Sequence, residues 1–396
     1  MYDAIVVGAR CAGAPTAMLL ARMGHRVLLV DRSTFPSDMR LSNHLLWPSG
    51  VAALERWGLR AELARSGCPP ITTGTADFGP LRVTGRFPPV EGVREAYAPR
   101  RAVLDSILVE AATRAEVELW EGCTVDGLLV EDSRVHGIRG HTRDGRAATA
   151  SATVVVGADG MRSRVARMVQ APTYLERPAR QGTYFTYWSG VPADGSTLYS
   201  RPFRSVVALP THDELSVVSV SWPIEEFRQV RADIAGHYLA TLAEVAPELH
   251  ERVRAGRREE RWIGAAVGGS FRRPYGPGWA LVGDAGYLKD PCTAQGMTDA
   301  FRHAELLAEA LDEVFTGRCG FDDALAGYAR RRDEAVIAMY EFTCARAGLE
   351  PPTPETEQMF AAMQHDQDLV DRFLGVFAGS VRVQDLLGTP AHKPAA

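Results

Sequence analysis

The reading of the fold turns on residues 1–32, MYDAIVVGARCAGAPTAMLLARMGHRVLLVDR. A short apolar run over 3–7 stops at Gly8. Ala14, Ala17, Met18 and Ala21 then recur at helical spacing, and Gly24 stands where that helix would stop. A second apolar run over 27–30 ends in Asp31. A strand, a glycine turn, a helix and a buried strand with an acidic end make one dinucleotide-binding βαβ unit. Gly8 permits the sharp turn, and Gly13 lets the helix pack close to the strand. Amides at the helix start hold a pyrophosphate against the positive end of the helix dipole. Asp31 is placed to accept hydrogen bonds from a ribose diol.

The turn departs from the glycine-rich pattern at one position. Where G-x-G-x-x-G is expected, the chain has Gly8-Ala9-Arg10-Cys11-Ala12-Gly13. The missing middle glycine normally lets the backbone approach the phosphates. Arg10 therefore either points away or supplies its guanidinium as an extra phosphate partner.

The chain of 396 residues is long enough for one large or two medium domains, and 46% hydrophobic with 23% charged residues describes an ordinary globular protein. A formal net charge of −5 gives no reason to expect a nucleic-acid partner. Lysine occurs only at 289 and 393, which makes Lys289 easy to notice. The six cysteines, Cys11, Cys68, Cys123, Cys292, Cys319 and Cys344, form no C-x-x-C pair, so reduced thiols are expected and neither a disulfide frame nor a metal site. The first strand begins almost at once, without a signal segment, and no apolar run is long enough to span a bilayer; a cytoplasmic protein is expected. Oligomeric state is not legible.

Further along, Pro48-Ser49-Gly50 opens a helix carrying Val51, Leu54 and Trp57, and short strands fall near 75–78 and 81–87. Arg100-Arg101 leads an amphipathic helix with Val103, Leu104, Ile107, Leu108 and Ala111. Strands follow over 117–121, 124–130, 134–142 and 147–156. From 181 to 222 the texture becomes that of a separate antiparallel sheet, with strands over 183–188, 196–199, 205–209 and 215–222. Its aromatic residues Tyr184, Phe185, Tyr187 and Trp188 are read first as core and sheet face, with a substrate-pocket role as the alternative. A helical stretch over 234–255 breaks at Pro247. A buried strand over 279–282, a loop over 283–295 and a long apolar helical stripe from Met297 to Leu311 come next. Helices continue from about 322, broken by Pro351-Pro352 and Pro354, and the tail 388–396 is read as mobile.

Three separated motifs resemble those of the FAD-dependent aromatic hydroxylases, the p-hydroxybenzoate-hydroxylase-like flavoprotein monooxygenases. They are the βαβ unit, the run Gly157-Ala158-Asp159-Gly160-Met161-Arg162-Ser163, and Gly283-Asp284-Ala285 with Pro291 and Gln295-Gly296-Met297. The second is similar to the family's DG motif and implies contact near the pyrophosphate and with NAD(P)H. The third is similar to its GD motif and helix start. Independently of the resemblance, a carboxylate after a buried strand can accept a bond from a ribityl hydroxyl. The amides of Gly296 and Met297 would stabilise an anion on a reduced flavin. Arg101 resembles the family's helix-leading arginine near FAD, and Val125 falls on the strand that, in similar proteins, offers its backbone to the adenine.

The resemblance thus implies a mixed α/β and α+β fold: a Rossmann-like FAD-binding domain, an inserted antiparallel-sheet substrate domain and a helical C-terminus. The expected division is 1–70, 100–170 and 275–335 for FAD, 71–99 and 171–274 for the substrate sheet, and 336–387 for the C-terminal helices. The expected cofactor contacts are Gly8, Arg10, Ala12, Gly13, Asp31, Arg32, Arg40, Arg101, Val125, Asp159, Gly160, Gly283, Asp284, Pro291, Gly296 and Met297. For Arg40, a surface salt bridge is the alternative. The sequence departs from the family after the Gly-Asp-Ala run: many relatives carry histidine there, and this chain has Gly286-Tyr287-Leu288-Lys289-Asp290. Candidate catalytic residues are His44, Lys289 and Pro291. His44 is either an acid/base group or structural. Lys289 steadies a substrate anion or proton network, or is solvated or paired with Asp290. Pro291 would border the oxygen-reacting face.

The implied activity is monooxygenation. NAD(P)H reduces FAD, reduced flavin takes up O2 as a C4a-hydroperoxide, and one oxygen atom passes to a small, aromatic or polycyclic organic substrate. Two related chemistries compete, double-bond reduction of the geranylgeranyl-reductase type and halogenation. The halogenase signature W-x-W-x-I-P is absent, Ser221-Trp222-Pro223-Ile224 being only an echo of it. A flavin-binding sensor without turnover is a further class.

Overall fold

The computed structural model describes residues 1–39, 41–42 and 45–387. Arg40, His44 and the tail 388–396, on which expectations were placed, lie outside the described residues.

One sheet organises the nucleotide-binding part. Its strands run in the order Tyr275–Gly276, Trp279–Leu281, Ala147–Gly157, Tyr2–Val7, Val27–Val30 and Glu118–Trp120, parallel except for the first pair. Residues 4–7, 27–30, 154–156 and 279–281 are buried on both faces, which is why these stretches are unbroken apolar runs. Successive side chains alternate between two cores. Ala4, Val6, Leu29, Val154 and Val156 pack beneath the helices Gly13–Arg22 and Gly296–Phe315. Ile5, Val7, Leu28, Val30 and Val155 face the opposite layer, with Val125, Ile138 and Val165. That layer is a meander of Cys123–Glu131, Arg134–Thr142 and the first half of Ala147–Gly157. The last strand serves both sheets: residues 147–151 pair in the meander and 152–157 pair with the first strand.

The second sheet has the order Arg257–Arg258, Gln181–Ser189, Ser216–Pro223, Arg204–Pro210, Ser196–Arg201, Thr73–Asp77 and Arg82–Arg86. It is antiparallel apart from one parallel pair, Ser196–Arg201 beside Thr73–Asp77, because the hairpin 73–86 joins from a distant part of the chain. The aromatic run divides between its faces. Tyr184 and Trp188 pack with Trp222 against helices Ile234–Val245 and Pro247–Ala255. Phe185 and Tyr187 face the other way, toward Trp47, Phe87, Phe373 and Phe377. Pro247 opens the second of those helices at a position where its missing N–H costs nothing. Pro354 likewise starts Pro354–Met363 rather than only ending the helix before it. Pro354–Met363 and Gln367–Ala378 cover the inner sheet face, reached by the long helix Phe321–Arg346. No described helix is long and apolar enough to cross a membrane.

Candidate flavin site

The three motifs converge at the glycine turn. Gly8 has φ +106°, and a Cβ there would lie 2.5 Å from the Ala158 carbonyl oxygen, so the turn and the DG motif touch backbone to backbone. A Cβ on Gly13 would lie 1.7 Å from the Gly8 oxygen. Gly283, at φ +59°, would bring a Cβ to 2.7 Å from that of Ala12, which places the GD turn against the same loop. Only glycine allows these approaches, and together they leave the amino end of the first helix at the junction.

Asp31 is buried at the end of its strand. One carboxylate oxygen accepts the Ala9 N–H at 2.8 Å and the other the Ser33 N–H at 2.7 Å, each keeping a lone pair for a further donor. The strand carrying Val125 leaves from the same point, Cys123 N–H donating to the Asp31 carbonyl at 2.9 Å, and Val125 is buried. Arg32 is exposed. The Asp159 carboxylate is committed to its own loop: it accepts from Ser163 Oγ at 2.5 Å and from the amides of Arg164 and Val165 at 2.6 and 3.2 Å. That caps the short helix Arg164–Met168 and leaves the backbone of Gly160, at φ +77° with open space beside it, as the part facing outward.

Arg10 points away from the glycine turn. Its Nη1 donates to Asp105 Oδ2 at 2.5 Å, and its Nη2 to Ser37 Oγ at 2.8 Å. Arg101, nearly buried, donates from Nε and Nη2 to the same Asp105 at 3.1 and 2.9 Å. Its charge also acts on Asp284. Asp284 sits in the turn Gly283–Ala285, and among the described residues no donor is hydrogen-bonded to its carboxylate. Desolvation pushes its pKa up to about 6, against the opposing pull of Arg101. An unpartnered, desolvated carboxylate beside an arginine suits a ligand hydroxyl, so the residues fit a flavin ribityl chain.

The loop after it is held from several sides. Asp290 Oδ1 accepts from Cys292 N at 2.9 Å and from Gln181 Nε2 at 2.7 Å, tying the first residue of Gln181–Ser189 to the Pro291–Thr293 turn. Trp47 Nε1 donates to the Thr293 carbonyl at 3.0 Å, and Gln295 Nε2 to the Phe377 carbonyl at 2.8 Å. Gly296 opens the long helix with nothing within 4 Å of where a Cβ would be, and Met297 is buried. The space at this helix start, with its positive dipole end, suits a ring that becomes anionic on reduction.

Lys289 corrects its expectation. It is neither solvated nor paired with Asp290: its ammonium is buried and ion-paired with Asp299, in the first turn of Gly296–Phe315, and bonds Tyr287 Oη at 3.3 Å. A lysine so enclosed is a brace for the loop. Asp105 was missed by sequence reasoning, although its position four residues after Arg101 on one helix is a legible ion-pair spacing. Phe377 and Gln181 carried no local signal, because their meeting with the loop depends on tertiary packing.

Two sheets, a glycine turn holding an acidic strand end, and a capped loop opening a long helix define a flavin-dependent oxidoreductase. The chain belongs to the FAD binding domain family, which matches residues 1–343, and is p-hydroxybenzoate-hydroxylase-like and FAD-dependent. It is similar to 6-methylpretetramide 4-monooxygenase of Streptomyces rimosus, 27% identical over 345 residues, or 84% of this chain and 80% of that protein. It is also similar to digeranylgeranylglycerophospholipid reductase of Methanocella arvoryzae, 26% identical over 307 residues, 76% of this chain and 74% of that one. Other curated relatives are longer, the chain spanning 60% and 64% of two of them. In fold it is similar to the flavin-dependent brominase Bmp2, with TM-score 0.82 at 17% identity over 96% of this chain and 93% of that one.

Proposed function

We propose that the chain is a monooxygenase that uses NAD(P)H and O2 to oxygenate a small aromatic or polycyclic substrate. The observation that carries this is the likeness to a 4-monooxygenase across most of both chains. The apolar inner face of the second sheet supports the substrate class. Phe185, Tyr187, Phe87 and Trp47 form one cluster that continues to Ala294, at the start of the long helix.

The proposed division of labour follows the expected one, with 1–70, 100–170 and 275–335 holding FAD, 71–99 and 171–274 forming the substrate sheet, and 336–387 closing it. Gly8, Ala12 and Gly13 would bring the backbone to the pyrophosphate, Asp31 and Arg32 would meet the adenosine ribose, and Val125 the adenine. Asp159 would act by shaping the Gly160 backbone, and Arg101 by facing Asp284 across the ribityl chain. Gly283, Pro291, Gly296 and Met297 would border the ring. Bound FAD supplies the redox chemistry, accepting electrons from NAD(P)H and passing them to O2. The protein's part is to orient the substrate and keep water from the reacting face. Trp47, Phe377 and the Pro291–Thr293 turn would do the second.

Double-bond reduction is the second reading, favoured by the likeness to a reductase over three quarters of each chain. Halogenation draws less support: Trp222, in the segment that echoes the halogenase signature, is buried on the far sheet face with its Nε1 donating to Thr241 at 3.0 Å. The test supplies FAD-loaded protein with NAD(P)H and candidate aromatic compounds under isotopically labelled O2. Oxygen uptake matched to NAD(P)H consumption, with one labelled atom in the product, is expected. An unlabelled, reduced product formed without oxygen would overturn the oxygenase reading in favour of the reductase.

A further inference from the structure

Arg10 occupies the place of the motif's middle glycine, yet its guanidinium is spent elsewhere. Nη1 donates to Asp105 Oδ2 at 2.5 Å and to the Ser37 carbonyl at 3.2 Å, Nη2 donates to Ser37 Oγ at 2.8 Å, and the group lies 5.5 Å from the Phe35 ring centroid. Asp105 has no solvent exposure and also takes Arg101 Nε, Arg101 Nη2 and the Cys11 thiol at 3.1, 2.9 and 3.4 Å. One enclosed carboxylate thus connects the glycine turn to the arginine whose charge acts on Asp284. Through Arg10, it also connects to the loop that follows Asp31. Its near end is fixed by Asp31 on Ser33 and by Glu121 on Phe35 N–H at 2.7 Å; Arg10 holds the part beyond.

We propose that Arg10 is a positioning residue, a clasp that fastens segment 33–39 and, through Asp105, Arg101 around bound FAD. A side chain turned aside to Asp105 and Ser37 leaves the turn's backbone clear for the pyrophosphate. The chain thereby replaces the close approach of a glycine with a tether on the flanking loop. This rests on FAD lying at the glycine turn.

The experiment measures FAD release after dilution, by the fluorescence regained as flavin leaves, for the full chain and for Arg10→Gly, Ser37→Ala, Asp105→Asn, Asp105→Glu and the Arg10→Gly/Asp105→Asn double variant. Arg10→Gly and Asp105→Asn are each expected to speed release by about tenfold or more, as loss of a charged hydrogen bond would. The double variant is expected to release more slowly than fully additive effects would give, since the Arg10–Asp105 pair the two share can be lost only once. Asp105→Glu, which keeps the charge, should restore part of the retention. Restoring the glycine and finding release as slow as in the native chain, or slower, would overturn the clasp, and so would fully additive effects. If Asp105→Asn fails to fold, Arg10→Gly and Ser37→Ala decide the matter by the same criterion. Native protein that takes up no FAD would overturn the underlying reading and the clasp with it.

Discussion

Lys289 and Asp299 form an ion pair whose side chains are 4% and 5% exposed, joining the loop after the Gly283–Ala285 turn to the first turn of the long helix. Burial pulls the Lys289 pKa down, and the Asp299 carboxylate opposes that pull. Such a pair adds little net stability, but breaking it from the lysine side leaves the buried Asp299 carboxylate, among the described residues, with only Arg302 Nη1, at 3.4 Å. Lys289→Met is expected to cost about 3–5 kcal/mol, and Lys289→Met/Asp299→Leu to recover most of the loss. Thermal unfolding at fixed FAD concentration checks this. Equal losses in single and double variants would show that the two do not act as a unit.

Ionised Asp284 costs the FAD-free protein stability and is expected to favour FAD binding. Its pKa is raised from 3.8 to about 6, chiefly by desolvation. A raised carboxyl pKa contributes stability that is complete below the unfolded value and lost as pH rises through the folded one, here between about 4 and about 6. Ionisation therefore costs the FAD-free protein at most about 3 kcal/mol by pH 7. Asp284→Asn is expected to remove that slope and raise the melting temperature of the FAD-free protein at pH 7, while weakening FAD binding. A variant that loses melting temperature along with affinity would contradict the assignment.

His303 is fully buried, and among the described residues neither ring nitrogen has a hydrogen-bond partner. Burial, with the positive charges of Arg332, Arg302 and Lys289, holds its pKa well below the usual histidine range. The folded state keeps it neutral while the unfolded chain protonates it, so its contribution is present above about pH 6.5 and lost as pH falls below that. His303→Leu is expected to flatten this acid loss and to raise stability at pH 7 by about 1–2 kcal/mol, through removal of unpaired polar atoms. Melting temperatures across roughly pH 5 to pH 8 decide it.

Asp31 ties the second strand to the glycine turn through Ala9 and to the next loop through Ser33. Asp31→Asn keeps one acceptor and loses the charge, and FAD affinity is expected to fall roughly ten- to a hundredfold. Titration of the FAD-free protein by flavin fluorescence measures it. An unchanged dissociation constant would remove Asp31 from the ribose site.

The nucleotide fold was legible because its information is local. The runs 3–7 and 27–30, the glycines at 8 and 13 and the acidic end at 31 carry a period and a turn chemistry that need no partner to be read. The second sheet was legible for the same reason, except that its parallel edge depends on the hairpin 73–86, whose place no local pattern fixes. Lys289 was misread because its partner is Asp299, ten residues on and across a turn, where nearness in sequence pointed to Asp290. The Arg10 alternatives were closed by Asp105 and Ser37, which lie 95 and 27 positions away. The apolar cover at Phe373 and Phe377 arises only when the C-terminal helices fold back over the sheet.

The most direct test of the account is a crystal structure of the FAD-loaded protein. It is expected to show the pyrophosphate over Gly8–Gly13, a ribose hydroxyl on Asp31, a ribityl hydroxyl on Asp284 and the isoalloxazine ring against the start of the long helix at Gly296 and Met297. FAD bound elsewhere, or a ring turned away from the Pro291–Thr293 loop, would contradict it.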